Sequence, residues 1–112
     1  MCSKSQLTEI LNIVVESSKE IFESNLREVI LFGSYARGDY DDESDIDILI
    51  VADLTPEELC NYRSKIDSLS GEILYHYGML VSIIEKDYET YNKYSQVLPF
   101  YKNIAKEGVK IA

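Results

Sequence analysis

The chain runs to 112 residues and carries 20 acidic against 11 basic side chains, a formal net charge of -9. That length supports one hydrophobic core and no second lobe, so residues 1–112 are expected to form a single domain. The charge argues against a nucleic-acid polymerase, which needs clustered lysine and arginine to displace counterions, but a small nucleotide whose phosphates are neutralised locally by a metal remains compatible with it.

In chain order, Leu7, Ile10, Leu11, Val14, Ile21 and Phe22 recur at helical spacing after Ser5, a suitable N-cap, and predict a packing helix that ends near Asn25. Val29, Ile30, Leu31 and Phe32 form an unbroken, branched run that reads as a strand buried on both faces. It stops at Gly33. Gly33 and Ser34 turn into Tyr35, Ala36 and Arg37, closed by Gly38, as a single helical turn. A second strand is expected from Asp45 to Val51. Thr55, Pro56 and Glu58 make a capping box with proline at the first helical position, and Leu59, Tyr62, Ile66, Leu69 and Ile73 continue it as one helix packed on the sheet, ending near Gly78.

Met79 to Glu85 reads as a third strand. From Asp87, the stripe Tyr88, Tyr91, Tyr94, Leu98, Tyr101 and Ile104 predicts an amphipathic helical segment interrupted by Pro99 and stopped by Gly108, its tyrosines half-buried core. His76 reads as a surface or helix-end residue, and Cys2 and Cys60, without metal spacing, as free thiols. With no basic-then-apolar leader and no apolar run of bilayer length, a cytoplasmic protein that makes no membrane contact is expected.

Chemistry concentrates between Gly33 and Asp47. The start of the short helix offers unpaired backbone N–H groups beside the Ser34 hydroxyl, a seat for phosphate. On a strand Asp45 and Asp47 share a face, about 6.6 Å apart along it. Two carboxylates approaching to about 4 Å repel by roughly 4 kcal/mol at an effective dielectric of 20, so a cation belongs between them. Magnesium suits such a pair when substrate phosphates complete its oxygen shell. An EF-hand reading of the acidic loop fails, because counting from Asp39 places Ser44 at the glycine position and Ile50 at the bidentate glutamate. Asp41, Asp42 and Glu43 read as a solvated turn.

Gly33-Ser34, Arg37-Gly38 and Ser44-Asp45-Ile46-Asp47, followed by an apolar strand, together resemble the signature of the DNA polymerase beta nucleotidyltransferase superfamily. Within it the chain is most similar to the stand-alone minimal nucleotidyltransferases. The resemblance implies an α/β (α+β) nucleotidyltransferase fold, a small mixed sheet of three or four strands with helices mainly on one face. It also implies transfer of AMP from Mg-ATP to a hydroxyl acceptor. By position, Asp45 and Asp47 are the catalytic, magnesium-holding pair, and Gly33, Ser34, Arg37 and Ser44 the nucleotide contacts; a salt bridge from Arg37 to the acidic loop is the other reading of that residue. Stand-alone relatives are often antitoxins that add AMP to a helical HEPN toxin, so a toxin of that type or self-association is expected to complete the site.

One position departs from the pattern. Catalysing relatives carry a third carboxylate on the third strand, in a run like Val-Asp-Leu-Val, and Val81-Ser82-Ile83-Ile84 places Ser82 there. A serine hydroxyl is a poor magnesium ligand and a poor base. Glu85 faces the other side of the sheet and Asp53 lies too far along its strand to substitute. The alternative function is therefore a catalytically impaired antitoxin module that binds a nucleotide or a partner.

Overall fold

The computed structural model describes residues 4–41 and 43–112; Cys2 lies outside them, as does Asp42. Its centre is a strand that almost never meets water. In β2, Ile46–Ala52, every residue except Asp47 is 0 % exposed, because the run Ile48-Leu49-Ile50-Val51 has apolar, mostly β-branched side chains to offer on both faces. β1, Leu26–Phe32, pairs with it antiparallel, and β3, Val81–Asp87, pairs parallel on its other side. A two-residue β4, Val109–Lys110, joins β1 antiparallel, so the mixed sheet has the order β3-β2-β1-β4.

Two helices supply the larger core. Ile10, Val14 and Phe22 of α1, Lys4–Phe22, and Ile66, Leu69 and Ile73 of α4, Arg63–Tyr77, pack on Val29, Leu31, Ile48, Ile50 and Ile83 of the sheet. The opposite face holds a smaller cluster, where Ile30, Leu49 and Val51 are covered by Tyr91 of α5, Tyr88–Tyr94, and by Tyr101 and Ile104 of α6, Pro99–Glu107. The two long helices thus lie on one face and two shorter ones cover the other, and Tyr91 and Tyr101 of the tyrosine stripe are core. Asp47 alternates with Leu49 and Val51 and belongs to this thinner side.

Several boundaries differ from the sequence reading, each for a local reason. Ser5 lies inside α1, and that helix ends at Phe22 in a 3-10 turn, Glu23–Asn25, with Glu23 at φ 50°. The helix expected from Pro56 to Gly78 is two: α3, Pro56–Cys60, ends where Asn61 N–H and Tyr62 N–H bond the carbonyls of Glu58 and Leu59 at 3.1 and 3.0 Å, a tightening that turns the chain before α4. Tyr62 then packs its ring on Phe22 at 5.0 Å between centroids. Gly78, left-handed at φ 67°, closes α4, and β3 begins at Val81 rather than Met79. Pro99 does not kink one helix but starts the second, while Asp87 starts the first by accepting from Thr90 N–H at 2.9 Å. Among the described residues, no helix is long and apolar enough to cross a membrane. Cys60 is an exposed free thiol.

The capping box at α3 is formed in full, Glu58 N–H donating to Thr55 Oγ1 at 3.2 Å and Thr55 N–H to Glu58 Oε1 at 2.9 Å. Thr55→Ala is expected to cost about 1 kcal/mol, read as a lower urea midpoint with an unchanged slope.

Candidate active site

The site forms where three strand positions line up. Phe32 of β1 is paired with Asp47 of β2, and Asp47 with Ser82 of β3, so the side chains at 47 and 82 stand next to each other across a spacing of about 4.8 Å. Directly after Phe32, Gly33 turns the chain at φ 73°, ψ -156°, a region open in practice only to glycine. A second requirement reinforces the first: a Cβ at Gly33 would overlap the Asp47 carboxylate. The carboxylate therefore packs against bare backbone.

From Gly33 the chain enters α2, Ser34–Arg37, whose first N–H groups have no carbonyl a turn earlier to bond. Gly38, left-handed at φ 86°, closes it by donating to Ser34 O at 2.9 Å. Arg37, the last residue of α2, donates to Asp39 at 3.1 Å and lies 3.8 Å from Glu107 at the end of α6. Its guanidinium is held in the charged form first by Asp39, with smaller contributions from Glu107 and Asp47. The salt bridge to the acidic loop is formed, and Arg37 also acts electrostatically on Asp47.

Asp45 sits just before β2 and is exposed; Asp47 is half-buried inside it. Burial pushes the Asp47 carboxyl above its ordinary range, the nearby Asp45 charge adds to this, and Arg37 partly opposes it. The pair is an electrostatic deficit that a hard cation would relieve. Ser44 Oγ accepts from Asp41 N–H at 3.0 Å and lies 3.2 Å from Asp41 Oδ1, bracing the acidic loop. Of the two acids rejected as substitutes for a third carboxylate, Asp53 is bridged to Arg27 at 2.9 Å and Glu85 to Arg63 at 2.6 Å.

One wall of the site was not visible in the sequence. Phe32, Gly33, Arg37, Phe100, Ile104 and Glu107 line a cavity of about 270 Å³, with Phe100 edge-on to Phe32 at 6.2 Å. Its residues come from opposite ends of the chain, and local pattern carries no signal for that meeting.

The nucleotidyltransferase domain profile matches residues 8–111, nearly the whole chain. This chain belongs to the nucleotidyltransferase domain family. Two proteins of Methanocaldococcus jannaschii, each named "putative protein adenylyltransferase", are similar to it. One is 39 % identical over 84 % of this chain and 86 % of its own length, the other 42 % over 68 % and 78 %. A Sulfolobus solfataricus crystal structure, described as a putative nucleotidyltransferase, superposes with a TM-score of 0.56 at 27 % identity, over 92 % of this chain and 79 % of that one. A toxin–antitoxin crystallised with AMP-PNP shares the fold, with a TM-score of 0.58 at 17 % identity over 91 % and 72 % of the two chains. As a nucleotidyltransferase the chain is a transferase by family, with the mixed α/β fold its neighbours share.

Two measurements check this geometry. Gly33→Ala should lose roughly 2–3 kcal/mol of stability in chemical denaturation, since both the backbone region and the Asp47 contact forbid a side chain. For Asp47, a folded-state pKa above the ordinary 3.8 means that the folded state binds the extra proton, so its favourable contribution is complete below pH 3.8 and is lost as pH rises through the folded pKa. Asp47→Asn should therefore melt higher than the natural protein without metal or nucleotide, the gap opening above about pH 4 and levelling at about 2–4 °C near neutrality, a size limited by solvent screening.

Proposed function

We propose that this nucleotidyltransferase moves AMP from Mg-ATP to a hydroxyl group on a partner protein. The observation that carries the reading is the packing of Asp47 against Gly33, which puts a carboxylate pair and a helix start in one place. Ser34 and the first N–H groups of α2 would hold the β and γ phosphates. Asp45 and Asp47 are suited to hold magnesium, two hard oxygen donors whose mutual repulsion and burial a divalent ion offsets. When bound, the ion would neutralise charge building on the phosphates during transfer.

In the reaction the acceptor hydroxyl oxygen forms a bond to the α-phosphorus as the bond to pyrophosphate breaks, and the hydroxyl proton passes to water. Arg37, which reaches the Asp47 field from the end of α2, would offset charge on the phosphates. The cavity between Phe32 and Phe100 offers an apolar recess beside them. The names of the relatives favour a protein acceptor, and a toxin–antitoxin shares the fold; that the acceptor is a helical HEPN toxin is what the resemblance in sequence implies. We place the chain in the cytoplasm, where ATP and magnesium are abundant.

A second reading has its own observation. Ser82, and not an acid, stands beside Asp47, so the site can hold a nucleotide while transferring slowly or not at all, and then acts by occupying its partner. Calorimetry with a non-hydrolysable ATP analogue should find binding that requires magnesium and is lost in Asp45→Asn/Asp47→Asn. The absence of binding to any triphosphate would overturn the transfer reading and leave the second only as a module that binds a partner protein. Ser82→Asp, which restores a carboxylate beside Asp47, should raise transfer to an acceptor by about tenfold or more. Unchanged transfer with intact nucleotide binding would remove Ser82 as the limit.

A further inference from the structure

β3 is an open border of the sheet, with β2 on one side and, among the described residues, no strand on the other. All seven of its residues, Val81–Asp87, pair with β2, and residues 82–86 make no other backbone bond among the described residues. A row of N–H and C=O groups therefore points outward, ready to pair with another strand. Side chains alternate along it. Ser82, Ile84 and Lys86 stand on the side of Asp47, and Val81, Ile83 and Glu85 on the other, where Arg63 holds Glu85 at 2.6 Å. Lys86 makes no salt bridge among the described residues.

The order of these side chains suits a second copy of the same strand. Two copies related by a two-fold axis normal to the sheet pair antiparallel and keep their faces, so opposed residues must have like parity. Only the register centred on Ile84 pairs the whole strand. It sets Ile84 against itself, Ile83 against Glu85, Ser82 against Lys86 and Val81 against Asp87, with no like charges opposed. A register centred on Glu85 pairs five residues and opposes two carboxylates, which is destabilising. Lysine on a border strand commonly hinders such pairing, but here it meets a small neutral side chain.

We propose that two copies of this chain join through their β3 strands, and that Lys86 of each completes the candidate active site of the other. Lys86 of the second copy lies two strand spacings from Asp47, roughly 10 Å. Its four-carbon stem, laid across Ser82, brings the ammonium beside the Asp47 carboxylate. A carboxylate at position 82 would intercept it; the serine lets it pass. The place where a third carboxylate would help to hold a metal ion is thus met by a fixed positive charge. The contribution of Lys86 to the nucleotide rests on the transfer reading, whereas the pairing does not.

Sedimentation of the natural protein at about 0.1 mM should give twice the monomer mass, with a Kd of about 10 µM or below. Cysteine variants in a Cys2→Ser/Cys60→Ser chain then read the register under mild oxidation. Ile84→Cys should link two copies, since residue 84 faces itself at about 4.5–5.5 Å between Cα atoms. Lys86→Cys alone should stay unlinked, because the two copies of residue 86 lie four residues apart along the border, roughly 13 Å. Ser82→Cys with Lys86→Cys should link. A monomer in sedimentation, or linking by Lys86→Cys alone as readily as by Ile84→Cys, would overturn the proposal. Lys86→Met should stay dimeric and bind the ATP analogue with magnesium about fivefold more weakly. Unchanged affinity in a dimeric Lys86→Met would remove Lys86 from the site. Links at the expected positions in a protein that binds no triphosphate would uphold the pairing and refute the transfer reading alone.

Discussion

The rest of the site depends on one close approach, that of the Asp47 carboxylate to the backbone of Gly33. For it to exist, β1 must end at Phe32 in register with Asp47, and the next residue must turn in a region that side chains do not enter. Once that turn is made, the following helix starts beside the carboxylate. Negative groups are favoured at a helix start, but burial and the second carboxylate outweigh that help at Asp47. An arrangement that destabilises its own anion at rest is suited to a cation that arrives with the substrate.

The neighbours of Asp47 explain why the cost is tolerated. The rest of β2 is sealed by apolar side chains on both faces, so the strand is fixed by burial at many positions and can carry one unfavourable group at its start. The same parallel register that holds Asp47 also fixes Ser82 at its side. Ser82 thus stands beside Asp47 by strand register, not by a local irregularity.

How much was legible in the sequence follows the range of the forces involved. The apolar runs of β1 and β2, the capping box of Thr55 and Glu58, and the glycine turn at Gly33 act over a few residues and could be read directly. So could the placement of Glu85 and Ser82 on opposite faces, which needs only strand alternation. The break between α3 and α4 was not legible, because Leu59, Tyr62 and Ile66 keep a helical spacing across it. It is the packing of Tyr62 on Phe22, some forty residues away in the chain, that accompanies the turn. Ser44 adds a case at short range: its motif neighbours suggest a ligand contact, and they carry no sign of the bonds its hydroxyl makes to Asp41. The approach of Glu107 to Arg37 and the short β4 strand depend on the finished fold.

The two borders of the sheet are unlike. Beside β1, Val109 and Lys110 pair in register, and Val29 exchanges further bonds with Ile111 and Ala112. Beside β3 no strand lies among the described residues, and seven residues run along the border. A sheet with one long open border and one covered by two residues has a polarity for lateral growth. A strand laid beside β3 would meet seven residues to pair with, and one laid beside β4 only two, so an added strand has far more to gain at the first border.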